Sequence, residues 1–178
     1  SGGSFIKGKV TQPQGSSYKG PTPAGGRISG TPNLPVLPAM PVVTNFSNFP
    51  YGTTEVNNSG IIVPGKYKDL ELKGGKVVTF SGTGIYVFKE IEVEGSDNTF
   101  RFDFKNDPTG KIIIYVHEDV ELYKLKVEIT GGGSAARIYT EVHGNGSYCS
   151  DRSSAFRHVN GTSGSNNGQW RGTVFAPY

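Results

Sequence analysis

A single cysteine, Cys149, leaves no possibility of an intrachain disulfide, and the Gly/Ser/Asn stretch around it has no metal-ligand spacing. A catalytic thiol would need a nearby base; His143 and His158 are close in sequence, but their spacing favours neither. Long apolar runs are missing too. None approaches the roughly 20 residues of a membrane-spanning helix. Charged residues make up only 19% of the chain and hydrophobic ones 34%, with 26 Gly and 11 Pro filling the difference. In a helix interior Gly costs about 1 kcal/mol and Pro about 3 relative to Ala, so an all-α fold and a coiled coil are excluded. With 178 residues there is still room for one domain with a substantial core.

Acidic residues are absent from residues 1–54, which carry Lys7, Lys9, Lys19 and Arg27; the remainder holds 14 basic and 15 acidic residues. Charge this thinly spread reads as a solvated basic arm and not as a nucleic-acid-binding surface. The opening Ser-Gly-Gly-Ser reads as a mature or trimmed start without a signal peptide.

Residues 1–54 form one compositional block, an extended Pro/Gly-rich arm. Seven of the 11 prolines fall between Pro13 and Pro41. Proline fixes φ and biases its predecessor toward extended geometry, so the run Thr31 to Val43 is expected to be extended. Leu34, Val36, Leu37, Met40, Val42 and Val43 make it too apolar for a plain linker. It is expected to lie against a protein surface, with Phe5-Ile6 and Val10 forming a short strand. An intramolecular strap is preferred over exchange with a neighbouring copy, because an arm meets its own domain at high effective concentration. Exchange would give head-to-tail polymers.

From residue 55 the texture changes. Apolar residues alternate at Leu70 and Leu72, Val78 and Phe80, Ile91 and Val93, Phe100, Phe102 and Phe104, Val120 and Leu122, and Ile138, Thr140 and Val142. Period two marks strands with one buried face. Charges occupy the alternate positions: Asp69, Glu71 and Lys73; Glu90, Glu92 and Glu94; Arg101, Asp103 and Lys105; Glu121; Lys124, Lys126 and Glu128. Strands this dense, separated by Gly-rich corners, predict an all-β chain built as a short parallel β-helix over residues 55–178, in about five coils of roughly 20–25 residues. A β-sandwich with hairpin turns is the alternative. Residues 144–169 read as a long polar loop, followed by one last strand from Thr173 to Ala176.

Gly65-Lys-Tyr67, Leu70-x-Leu72-x-Gly-Gly75, Val78-x-Phe80-Ser-Gly82 and Gly84-Ile-Tyr-Val-Phe88 resemble a signature of bacterial surface proteins with an ice-binding-like, right-handed β-helix. The closing Gly172-Thr-Val-Phe-Ala-Pro177 resembles the final strand of the same broad group, which includes choice-of-anchor and adhesin-associated modules. The resemblance implies a right-handed β-helix that is extracellular or at the cell surface. It implies a non-catalytic structural or adhesive role in a secreted protein or filament, with other surface-protein domains or identical subunits as partners. Ice binding is not carried over, because no Thr-x-Thr occurs.

Candidate chemistry is sparse. Asp103 and Asp107 flank the turn from Lys105 to Gly110 and are the candidate calcium ligands, although no Asp-x-Asp-x-Asp-Gly loop is present. Glu118, Asp119 and Glu121 cluster further on, and a two-carboxylate glycosidase is the enzymatic alternative. His117, His143 and His158 lack zinc spacing and read as three unrelated polar residues. Gly82-Thr-Gly84 and Gly131-Gly-Gly-Ser134 lack the Lys-Ser/Thr of a phosphate loop and read as corners. Tyr148 and Trp170 bracket the polar loop and are the candidate sugar-stacking residues of a carbohydrate-binding or carbohydrate-cleaving protein.

Overall fold

The computed structural model describes residues 6–31, 41–144, 155–159 and 170–177. The chain forms two compact units, Ser1–Val42 and Val43–Tyr178. Residues 43–54 therefore belong to the larger unit and not to the arm.

In the first unit, β1 (Val10–Gln12) and β2 (Arg27–Ser29) pair in parallel, with Val10 opposite Arg27. The Arg27 guanidinium lies 4.8 Å from the centre of the Tyr18 ring, and the Tyr18 hydroxyl donates to Pro21 O. Phe5 and the apolar residues Leu34, Val36, Leu37 and Met40 lie outside the described residues.

The second unit is a succession of short strands: β3 (Gly60–Ile62), β4 (Gly65–Lys66), β5 (Asp69–Lys73), β6 (Val77–Ser81), β7 (Gly84–Phe88), β8 (Glu90–Glu94), β9 (Thr99–Asp103), β10 (Ile112–Val116), β11 (Val120–Tyr123), β12 (Lys126–Thr130), β13 (Ile138–Val142), β14 (Phe156–Val159) and β15 (Thr173–Phe175). They build three sheets, ordered β12-β9-β6-β3, β15-β13-β10-β7-β4 and β14-β11-β8-β5. From β3 to β14 the chain visits the three sheets in strict rotation. Every strand pairing described is parallel, which rules out hairpins as connections and is compatible with a β-helix.

The alternation puts apolar columns inside. Val78, Phe100 and Val127 are register partners, as are Phe80, Phe102 and Ile129. Phe80 touches the rings of Tyr86, Phe88, Phe100 and Phe102 at centroid distances of 5.3, 6.2, 5.3 and 4.8 Å. All five are buried. Each such side chain contributes roughly 1.5–3 kcal/mol by leaving water.

The spacing between register partners is unequal. Leu70 pairs with Ile91, Ile91 with Val120 and Val120 with Phe156, so the spacing grows from 21 to 29 to 36 residues. Only the first spacing matches the expected coil length. The added residues sit between strands: 82–83 separate β6 from β7, whereas 104–111 separate β9 from β10, and 143–155 separate β13 from β14. The stretch 144–169 is not all loop, since it contains β14, and the final strand ends at Phe175.

Candidate functional site

Strands β7 and β10 are apolar on both faces. Their inward residues fill the core, while Ile85, Val87, Ile113 and Tyr115 point outward. A sheet apolar on both faces needs a second cover. Residues 43–51 supply it. A short 3-10 turn, Phe46–Asn48, is capped by Asn45, whose Oδ1 accepts from Ser47 N at 3.0 Å. The turn drives Phe46 against Val87 and Tyr115, and all three are buried. Phe49 packs on Tyr115 at 4.9 Å.

Beneath this strap lies Glu141, on β13 in register with Tyr115. Its side chain is 1% exposed. Oε1 accepts from Thr44 N at 2.7 Å and from His143 Nε2 at 3.0 Å, in the tautomer protonated there; Oε2 accepts from Thr44 Oγ1 at 2.7 Å and the Tyr139 hydroxyl at 3.1 Å. Burial opposes the charge, yet the hydrogen bonds from Thr44, His143 and Tyr139 outweigh it and hold the Glu141 carboxyl below its ordinary value. Burial, reinforced by the Glu141 carboxylate, pushes the Tyr139 hydroxyl up.

Two histidines complete the cluster. The Phe46 ring stacks on His143 at 3.6 Å and meets His117 at 4.9 Å. His117 Nε2 lies 2.8 Å from Phe49 O, and the Tyr51 ring stands edge-on to His117 at 5.0 Å. His117 and His143 thus converge on one phenyl ring, which their sequence spacing did not show. His158 points instead along the core column of Leu122, with Nε2 buried and unpartnered, and burial lowers its pKa.

A second polar constellation ties two corners together. Asp107 Oδ2 accepts from Thr83 Oγ1 at 2.7 Å, and Oδ1 accepts from Thr109 N at 3.0 Å and Gly110 N at 2.8 Å. The Thr83 hydroxyl and these two amides, with Arg137 nearby, hold the Asp107 carboxyl down at about 2. Asp103 binds Lys105 through both Nζ, at 2.9 Å, and the backbone N–H, at 3.0 Å, and its pKa is lowered by them. The carboxylates of Asp103 and Asp107 are thus engaged with separate donors. Arg137 is a second cation at this corner. Its guanidinium donates to Asp107 O, Gly110 O and Gly132 O at 2.8, 3.0 and 2.8 Å, and lies 4.5 Å from the centre of the Phe104 ring. Among the described residues no group of three or more His, Cys, Asp or Glu is arranged to hold a metal ion.

The outer face of the third sheet is acidic. Glu71, Glu92 and Glu121 stand in register, and the column ends in Arg157, which pairs with Glu121. Burial, with Glu94, Glu71, Glu90 and Glu121 nearby, raises the Glu92 pKa; burial also raises that of Glu90. Glu118 pairs with Lys89 at 3.2 Å.

Of the two sugar-stacking candidates, Tyr148 lies outside the described residues, as does Cys149. Trp170 is half-buried and packs on the core, edge-on to Phe102 at 6.1 Å and Phe156 at 5.7 Å, with its Nε1 buried. No helix among the described residues is long and apolar enough to cross a membrane. Comparison with known proteins returned no matching family model, no matching curated protein and no matching solved structure.

Proposed function

We propose that this chain is a short right-handed β-helix acting as a non-catalytic structural or adhesive module of a secreted bacterial cell-surface protein or filament. The observation that carries this reading is the rotation of in-register parallel strands through three sheets around one aromatic core. Such an arrangement is a stiff scaffold whose length grows by adding coils. Ion pairs among its outward charges support the same reading. Arg101 pairs with Glu128 at 2.9 Å, Lys126 with Glu128 at 2.8 Å and Lys73 with Glu71 at 2.7 Å. Partners of this module are other surface-protein domains or identical subunits.

Electron microscopy of the native material tests the proposal, with fibres or elongated surface appendages containing the chain as the expected result. Turnover of a polysaccharide, abolished by Asp103→Asn or Glu118→Gln, would overturn it.

A further inference from the structure

Building on the surface reading above, we propose that Asn57 is an acceptor site for an N-linked glycan, recognised together with Glu55 and Ser59.

Among the described residues there are two Asn-x-Ser triplets, Asn45-Phe-Ser47 and Asn57-Asn-Ser59. Asn-x-Ser/Thr is the acceptor pattern for N-linked sugar, and it must lie on a surface segment that can enter the transferase. The structure separates the two. Asn45 Oδ1 accepts from Ser47 N at 3.0 Å, and the residue between them, Phe46, is buried against Val87 and Tyr115. Drawing that triplet out uncovers Phe46. Asn57, Asn58 and Ser59 are all exposed, in the bend between Val56 and β3. Their side chains meet only other surface groups. Asn58 Nδ2 donates to Asn57 Oδ1 at 2.9 Å, Lys76 Nζ to Asn58 Oδ1 at 3.3 Å and Val77 N to Ser59 Oγ at 3.0 Å. The Asn57 amide nitrogen takes part in none of these bonds, and the Ser59 hydroxyl keeps its proton to donate.

Glu55 sets this triplet apart. Alternate residues of an extended chain share a face, so a transferase that binds the segment extended meets a carboxylate, an amide and a hydroxyl in a row, from Glu55, Asn57 and Ser59. Glu55 pairs with Lys68 Nζ at 2.6 Å, but both side chains are largely exposed. Surface pairs of this kind hold weakly, so the carboxylate can exchange its partner for a cation of the transferase. Val43 occupies the equivalent place before Asn45. His143 and His158 occupy it before Asn145-Gly-Ser147 and Asn160-Gly-Thr162, two triplets outside the described residues.

The donor class is an oligosaccharide carried on a lipid pyrophosphate. The Asn57 amide nitrogen attacks the first sugar carbon. An N–C bond forms, the C–O bond to pyrophosphate breaks, the lipid pyrophosphate leaves with the electron pair, and the amide proton passes to a base of the transferase. The sugar then stands at the start of β3, whose one strand partner among the described residues is β6 and whose Ile61 is 72% exposed. A bulky solvated group beside such an edge keeps other strands from adding to it.

Transfer is tested on the full folded chain with a purified bacterial oligosaccharyltransferase and a lipid-pyrophosphate-linked oligosaccharide, the product being located by peptide mapping. A glycan on Asn57 is expected, with Asn45 unmodified. Asn57→Gln is expected to abolish that product, and Glu55→Gln to slow its formation about tenfold, the effect of losing one hydrogen-bonded charge. Both positions are at the surface, and unchanged circular dichroism confirms that each variant is folded. Peptide mapping of the chain recovered from the cell surface is expected to find Asn57 occupied. The proposal is overturned if the folded chain is not modified, if Asn45 is modified in preference, or if Glu55→Gln leaves the rate unchanged. An unmodified Asn57 on surface-recovered chain overturns it too and leaves the scaffold reading standing, whereas absence of the chain from the surface removes both.

Discussion

The ring of Phe46 lies flat on the imidazole of His143, with 3.6 Å between centroids and 6° between planes. The two residues are 97 positions apart, and their contact is where the strap closes over the sheet. Phe46→Ala is expected to cost about 3 kcal/mol, the lower end of the range for buried phenylalanine, because the strap can settle toward the sheet. Urea denaturation measures the loss. The far-UV circular dichroism should be unchanged, since Phe46 touches the outer face and not the central core.

The corner held by Asp107 predicts a dependence on acid. Its carboxyl is held down at about 2, chiefly by the Thr83 hydroxyl and the amides of Thr109 and Gly110. A depressed carboxyl contributes stability above its ordinary value, near about 4, and loses that contribution as pH falls through the folded-state value. Asp103, Glu128 and Glu141 are lowered as well, so the wild type alone does not isolate one group. Thermal melting of Asp107→Asn beside the wild type does. The gap between their melting temperatures should be wide at pH 5 and shrink toward pH 2. A gap of constant width would show that the charge of Asp107 is immaterial.

The strands were legible because one-sided burial writes itself into the sequence at period two, as in Asp69–Lys73 and Glu90–Glu94, where apolar and charged residues alternate. The spacing of register partners was not legible, because the stretches between strands vary and move it from 21 to 36 residues. Phe156–Val159 was missed for a related reason: four residues inside a Ser/Gly/Asn stretch give too short a run for a period. The strap had a signal that went unread. Gly84-Ile-Tyr-Val-Phe88 and Ile112-Ile-Ile-Tyr-Val116 do not alternate, which means both faces are covered. What no local pattern carries is which segment does the covering. Glu141 stands at an outward position like any other strand glutamate, and only the arrival of Thr44 makes it a buried acceptor.

Two glycines separate steric from conformational cost. A Cβ at Gly133 would lie 2.0 Å from Phe104 Cδ2, and the Phe104 ring cannot swing freely because Arg137 stacks on it. Gly75 has open space around it but φ of +65°. Gly75→Ala is expected to cost about 1 kcal/mol from its left-handed backbone. Gly133→Ala is expected to cost about 1–3 kcal/mol from overpacking. Phe104→Leu, combined with each, distinguishes the causes in urea denaturation: the pair with Gly133→Ala should be non-additive and the pair with Gly75→Ala additive.

Trp170 is the only tryptophan, so its fluorescence reports one place. Edge-on contacts with Phe102 and Phe156 engage its ring, and its Nε1 is buried. A ring that binds sugars by stacking needs one open face, and its emission shifts when that face is covered. A ring packed between strands emits to the blue and ignores the sugar. The emission of the folded protein is therefore expected to be blue-shifted, weakly quenched by iodide, and constant during titration with soluble glycans. Trp170→Phe should leave any glycan adhesion intact while lowering stability by about 1–2 kcal/mol, as expected for a smaller ring in a packed site. A glycan-dependent shift, lost together with adhesion in Trp170→Phe, would instead make this ring the binding surface.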